Sequence, residues 1–182
     1  MKSCVIISGG RLNYQFASEF IEKEQPEILI AADKGLAFCE ETGIVPTKIV
    51  GDFDSMGESL LPKYESMGVE IQKFNPVKDA TDTEIAVRLS MELGAEKIMM
   101  LGASQGNRLD HLFGNVMTMM IPAQEDIECY MVDEYNRIRI LTKPLEIRKE
   151  EQYGKYISFV TFLLLSLILC LTILMIIDTL FL

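Results

Sequence analysis

Short apolar runs alternate with helical stretches along most of this chain, and that alternation limits the possible folds more than any single motif. The stretches between the runs repeat apolar residues at helical spacing, as in Ile85, Leu89 and Leu93. The strand candidates are residues 4–7, 28–32, 49–50, 70–74, 98–101, 129–132 and 138–141. Strands that alternate with helices build mostly parallel sheets with helices on both faces. We therefore predict an α/β fold of this kind.

The last part of the chain has a different composition. From residue 157 to residue 177 there is no charged residue, glycine or proline. As a helix, this run would be about 32 Å long, which is enough to cross the apolar core of a bilayer. The sequence therefore makes this segment a candidate transmembrane helix.

Charge and cysteine content restrict the class of protein. The chain of 182 residues carries a formal net charge of −10, which argues against nonspecific binding to nucleic acid, because such binding needs many Lys and Arg side chains. The cysteines form no Cys-x-x-Cys pair, so we expect reduced, buried thiols in a cytoplasmic protein. They are Cys4, Cys39, Cys129 and Cys170.

Unusual polar residues follow the predicted strands rather than precede them. In parallel sheets, ligands bind beyond the carboxyl ends of the strands, so we expect one site at that edge. The residues concerned are Gly9, Gly10, Asp33, Asp52, Asp54, Asp79, Asp82, Arg108, Asp110 and His111.

The motif Gly51-Asp52-Phe53-Asp54-Ser55 places two aspartates just after a strand. Two such carboxylates can converge on Mg²⁺, although Asp and Ser also simply fill turns. If Asp82 faces them, carboxylates about 5 Å apart repel by roughly 3 kcal/mol per pair at an effective dielectric of about 20. A metal site is the more economical arrangement, because a divalent cation removes that repulsion.

Two further segments have both a structural and a functional interpretation. Thr81 and Glu84 have the spacing of a capping box, which explains these two residues without a ligand. Residues 102–111 form a polar loop before a helix, where backbone amides and Arg108 can bind phosphate oxygens. His111 is the sole histidine, and a lone histidine more often caps or packs than catalyses.

Four motifs follow one another along the chain: Ala32-Asp33-Lys34-Gly35, Gly51-Asp52-Phe53-Asp54-Ser55, Asp79-x-Thr81-Asp82 and Gly106-Asn107-Arg108-Leu109-Asp110-His111. In this order and spacing they resemble the motifs of the thiamine pyrophosphokinase family. The resemblance covers roughly residues 3–145, the nucleotide-binding catalytic half. Asn107 stands where the family commonly has a second glycine.

The resemblance implies transfer of diphosphate from ATP to the hydroxyl of thiamine, giving thiamine diphosphate and AMP. Asp52, Asp54 and Asp82 would hold Mg²⁺, with Asp54 and Asp82 as the catalytic residues. Asp82 would also lie near the thiamine hydroxyl, where it is our candidate general base. The expected nucleotide-binding residues are Gly9, Gly10, Asp33, Thr81, Arg108, Asp110 and His111.

The resemblance also implies a homodimer, in which a β-sandwich domain of each subunit completes the thiamine pocket of the other. We predict a nucleotide-binding catalytic α/β domain over residues 1–142 and the start of a truncated β domain over residues 143–159. Residues 160–182 form an apolar tail where the β-sandwich domain is expected.

Three origins of the tail stay open. It could be a membrane anchor through residues 157–177, a buried helix of a partner-dependent fold, or the product of a reading-frame change.

A membrane-tethered nucleotide-binding module without catalysis is the alternative function of this protein. The least favoured alternative is a globular α/β domain whose aspartates only cap helices.

Overall fold

The computed structural model describes residues 1–53, 60–74, 80–165 and 170–179. The strands in these residues are β1 Ser3–Ile7, β2 Ile28–Ala32, β3 Lys48–Gly51, β4 Glu70–Lys73, β5 Lys97–Leu101, β6 Glu128–Val132, β7 Asn136–Leu141, β8 Tyr156–Leu165 and β9 Cys170–Thr179. These nine strands form one sheet in the order β4-β3-β2-β1-β5-β6-β7-β9-β8.

In the described part of the chain, six α-helices connect the strands, together with short 3₁₀ helices at Asp33–Gly35 and Lys149–Glu151. The α-helices are α1 Tyr14–Glu24, α2 Leu36–Thr42, α3 Leu61–Ser66, α4 Asp82–Glu92, α5 Leu109–Thr118 and α6 Met120–Gln124. Thr81 caps α4, since its side-chain oxygen accepts a hydrogen bond from the backbone N–H of Glu84 at 3.2 Å. The predicted capping role of Thr81 is therefore confirmed.

Strands β1 to β6 are parallel, as predicted, and β1 lies at the centre of this group. Residues 4–7 of β1 are fully buried because helices cover both faces of the sheet. One apolar cluster includes Ala86 of α4 and Val116 of α5, and the other includes Ala17 of α1 and Phe38 of α2. The predicted α/β class is thus confirmed.

The prediction of an apolar helix over residues 157–177 is wrong for the described part of that segment. Strands β8 and β9 pair antiparallel with each other, and β9 also pairs antiparallel with β7. The segment therefore extends the main sheet, and its residues 166–169 lie outside the described part. Among the described residues, the structure contains no helix with the length and apolar character needed to span a membrane.

The physical reason is the side-chain composition of the segment and its place beside β7. Its many Ile, Val, Thr and Phe residues favour strands. Met175 and Ile176 of β9 are buried, and Met175 joins the same apolar cluster as Ile138 of β7. Pairing with β7 satisfies the backbone of β9 and buries its side chains in one step. The domain boundaries at residues 142 and 159 stay predictions.

Candidate active site

The loops after β1 and β5 meet at the carboxyl edge of the sheet. The backbone N–H of Gly10 donates to the carbonyl oxygen of Gly102 at 3.0 Å, and that of Arg11 donates to the carbonyl oxygen of Gln105 at 3.0 Å. A Cβ atom on Gly10 would lie 2.3 Å from the oxygen of Gly102. Only glycine allows this close backbone approach, so residue 10 is fixed by packing as well as by any ligand.

The loop after β2 lies against the same region. A Cβ atom on Gly9 would lie 2.9 Å from Cβ of Lys34, and one on Gly35 would lie 2.0 Å from the carbonyl oxygen of Ile7. The ends of β1 and β2 are therefore in backbone contact. Gly9 and Gly10, in the loop after β1, and Asp33, in the turn after β2, therefore belong to two adjoining turns at this edge.

Asp33 and Asp52 follow neighbouring strands and lie close along the backbone. A Cβ atom on Gly51 would lie 3.2 Å from Cα of Asp33, and Asp52 is the next residue. Asp33 has φ +44° and Phe53, which is 2% exposed, has φ +60°. Asp tolerates this backbone region, whereas a bulky residue such as Phe53 rarely adopts it, and such conformations concentrate at functional sites.

Asp82 occupies the first turn of α4. The neighbouring Thr83 places its hydroxyl oxygen 3.2 Å from the hydroxyl oxygen of Ser8, which directly follows β1. This hydrogen bond holds the start of α4 against the edge that carries the two glycine-containing loops. Asp54 and Asp79 lie outside the described residues.

The donor set is suited to a hard cation. Asp52 and Asp82 supply carboxylate oxygens, which are the ligands that Mg²⁺ prefers. Within residues 1–53, 60–74, 80–165 and 170–179, no three His, Cys, Asp or Glu side chains come together as a metal site. The third proposed ligand, Asp54, is outside those ranges, and the two described carboxylates fit the chemistry of Mg²⁺.

Arg108, Asp110 and His111 are exposed at the start of α5. Nε of Arg108 donates to Oδ1 of Asp110 at 3.1 Å, and Nη2 of Arg108 donates to Oδ2 of the same residue. This two-point hydrogen bond lowers the pKa of Asp110 and raises the pKa of Arg108. The pair leaves the remaining guanidinium N–H groups facing away from Asp110.

Sequence reasoning missed two buried side chains that hold the loop after β5. Nδ2 of Asn115 donates to the carbonyl oxygen of Ala103 at 2.9 Å, and the hydroxyl of Ser104 donates to Oδ2 of Asp133 at 2.5 Å. Asp133 directly follows β6, so the rule that nominated the other strand-end residues would also have found it.

Comparison with known proteins identifies the family. The family model described as thiamin pyrophosphokinase, catalytic domain, matches residues 21–131. The thiamine pyrophosphokinase of Bacillus subtilis (strain 168) is 28% identical over 163 residues, which cover 89% of this chain and 75% of that protein.

Solved structures of the same family share the fold. The Bacillus subtilis thiamine pyrophosphokinase structure has a TM-score of 0.79 at 23% identity, with 100% of each chain covered. The Geobacillus thermodenitrificans structure has a TM-score of 0.73 at 23% identity and 97% coverage of each chain. The Candida albicans structure has a TM-score of 0.66 at 14% identity, covering 97% of this chain and 90% of that one. This chain belongs to the thiamin pyrophosphokinase family of enzymes.

Proposed function

We propose that this enzyme transfers diphosphate from ATP to the hydroxyl of thiamine, forming thiamine diphosphate and AMP. The observation that carries the proposal is the meeting of the loops after β1 and β5 beside Asp33 and Asp52. Membership of the family supports ATP and thiamine as the substrates, and this edge of the sheet places glycine-containing backbone next to carboxylates. Phosphoryl-type transfer needs mainly positioning and charge neutralisation, and these groups can provide both.

The acidic residues have the roles of metal ligands in this proposal. Asp52, Asp54 and Asp82 would hold Mg²⁺, and the bound ion would neutralise phosphate charge on ATP. Asp33, whose backbone packs against Gly51, would shape the same acidic pocket.

Phosphate binding is assigned to the loop of residues 102–108, which we call the nucleotide loop, and to the loop containing Gly9 and Gly10. Backbone N–H groups at the start of α5 are directed toward the N-terminal end of that helix, where anions bind. Thr81, Asp110 and His111 complete the proposed nucleotide contacts. Arg108 can contact a phosphate with the N–H groups that Asp110 does not use.

Asp82 is the proposed acceptor of the thiamine hydroxyl proton. The alcohol oxygen then attacks the β-phosphorus of ATP, and the bond from that phosphorus to the oxygen bridging the α- and β-phosphates breaks. AMP leaves with that bridging oxygen, and the β- and γ-phosphates remain on thiamine. The family homodimer and a cytoplasmic location are retained as predictions.

The test is AMP release from the purified full-length chain with Mg²⁺ and ATP, with and without thiamine. We expect AMP release that requires thiamine and that falls by at least about 100-fold in Asp52→Ala and Asp82→Ala. Glu22→Ala, which removes an exposed carboxylate from α1, is the matched control and should leave the rate unchanged. AMP release at the same rate with and without thiamine would refute the proposal.

A further inference from the structure

Asp133, at the carboxyl end of β6, is a buried carboxylate that joins two parts of the fold. It is 5% exposed, and its Oδ1 accepts hydrogen bonds from the backbone N–H groups of Tyr135 and Asn136, both at 2.8 Å. Its Oδ2 accepts the hydroxyl of Ser104 at 2.5 Å. One side chain therefore ties the turn between β6 and β7 to the nucleotide loop.

The other contacts of the nucleotide loop hold its backbone from different sides. The N–H groups of Gly10 and Arg11 bind its carbonyl oxygens at Gly102 and Gln105, and the side chain of Asn115 binds the carbonyl oxygen of Ala103. The contact between Asp133 and Ser104 differs because it uses a charged acceptor. Hydrogen bonds to a buried charge are stronger than those between neutral groups, so this contact has a large share in fixing the loop.

The C-terminal strand β9 is linked to Asp133 through hydrogen bonds of Tyr153. Asp178 of β9 is 2% exposed and accepts hydrogen bonds from the backbone N–H groups of Tyr153 at 2.6 Å and Gly154 at 2.9 Å. The hydroxyl of Tyr153 then donates to the carbonyl oxygen of Asp133 at 2.5 Å. A continuous series of contacts thus runs from the apolar C-terminal segment to the nucleotide loop.

We propose that Asp133 is a positioning residue for the nucleotide loop, acting through Ser104, and that β9 supports it through Asp178 and Tyr153. The inference rests on the proposed function, because that function assigns the loop to the phosphates of ATP. Backbone amides bind a phosphate well only when they are held in place before binding, since a displaced amide makes a longer and weaker hydrogen bond and ordering a loop on binding costs affinity. The C-terminal segment therefore has a role in nucleotide binding despite its distance in sequence.

The direct test is Ser104→Ala, which removes the link and leaves the hydrogen bonds between Asp133 and the β6–β7 turn intact. We expect the KM for Mg–ATP to rise about tenfold, with kcat changed less than about twofold. The KM for thiamine should not change. Ser104→Thr keeps the hydroxyl and should restore the wild-type KM.

Ser18→Ala is the matched control, because it makes the same change at another half-buried serine, whose hydroxyl donates to the carbonyl oxygen of Tyr14 at 2.9 Å within α1 and contacts neither the nucleotide loop nor Asp133. Its KM for Mg–ATP should stay at the wild-type value. A KM equal to wild type in Ser104→Ala, or an equal rise in both variants, would overturn the proposal.

Tyr153→Phe tests the support from β9 and should raise the KM for Mg–ATP about threefold. No rise in that variant would remove β9 from the proposal.

Hydrogen exchange separates this inference from the proposed function. In the protein without ligand, amides of residues 102–108 should exchange faster in Ser104→Ala than in wild type and should be unaffected in Ser18→Ala. Unchanged exchange in Ser104→Ala would overturn the positioning role. Wild-type protein without thiamine-dependent AMP release would instead overturn the proposed function, and the exchange comparison would still decide whether Asp133 holds the loop.

Discussion

The backbone of Gly51 packs against that of Asp33, so that a Cβ atom at position 51 would lie 3.2 Å from Cα of Asp33. The same Cβ atom would lie 3.3 Å from Cε1 of the buried Phe53. Strands β2 and β3 end side by side here, which brings Asp33 and Asp52 to one corner of the sheet edge. The contact explains why glycine precedes Asp52.

Gly51→Ala should therefore disturb the acidic corner without unfolding the sheet. The added methyl group must displace Asp33 or Phe53 by a few tenths of an ångström, and we expect thiamine-dependent AMP release to fall about tenfold. The rate assay checks this, with circular dichroism to verify the fold. A wild-type rate in a folded Gly51→Ala protein would show that this packing does not position the aspartates.

Gly114→Ala, by contrast, should stabilise the protein. Gly114 lies within α5, where a Cβ atom would meet nothing within 4 Å. Alanine at an open helix position restricts the unfolded chain and favours the helix, so the free energy of unfolding should rise by about 0.5–1 kcal/mol. Urea unfolding monitored by circular dichroism measures this, and a decrease would contradict the open environment of position 114.

Asp178→Asn should destabilise the protein strongly because the carboxylate is buried with several donors. Besides the two backbone amides, Nη2 of Arg137 lies 3.4 Å from its Oδ2. The amide has no charge and turns one N–H group toward these donors, so we expect a loss of about 2–3 kcal/mol in the free energy of unfolding.

Asp126→Asn makes the same chemical change at an exposed ion pair with Lys143. Surface pairs contribute little, so this control should unfold at nearly the wild-type urea concentration. Equal behaviour of the two variants would show that β9 is not held by Asp178.

The buried thiols should be unreactive in the native state. Burial raises the pKa of Cys4 to about 12 and that of Cys39 to about 12, and burial also raises the pKa of Cys129. We expect no alkylation of these three residues at pH 8 until denaturant is added, because the thiolate is the nucleophile. Peptide mapping after iodoacetamide treatment checks this, and rapid native labelling of Cys4 would contradict its burial.

The same thiols make stability depend on pH in the alkaline range. An unfolded cysteine loses its proton near the ordinary value of 9.0, whereas folded Cys4 and Cys39 keep theirs to about 12. Their contribution is fully present below pH 9 and is lost as the pH rises toward 12, because only the unfolded state releases the protons. Urea midpoints should fall over that interval, and a midpoint independent of pH would contradict the raised pKa values.

Most of the parallel sheet could be predicted because its strands are short apolar runs closed by turn residues. The strand-end rule also located the loops that contain Gly10, Asp33 and Asp52, since it depends on chain order and not on packing. Asp133 was missed although it obeys the same rule. Its role depends on Ser104, Tyr135 and Asn136, and no sequence spacing shows that these residues meet.

The sequence by itself determined the α/β class, the edge at which the polar loops gather, and the resemblance to the thiamin pyrophosphokinase family. Only the tertiary structure decided the conformation of the described C-terminal residues. An apolar run can satisfy its backbone groups either within a helix or by pairing with a neighbouring strand. Here β9 pairs with the edge of β7, and Asp178 of β9 is buried where it accepts hydrogen bonds from the backbone N–H groups of Tyr153 and Gly154.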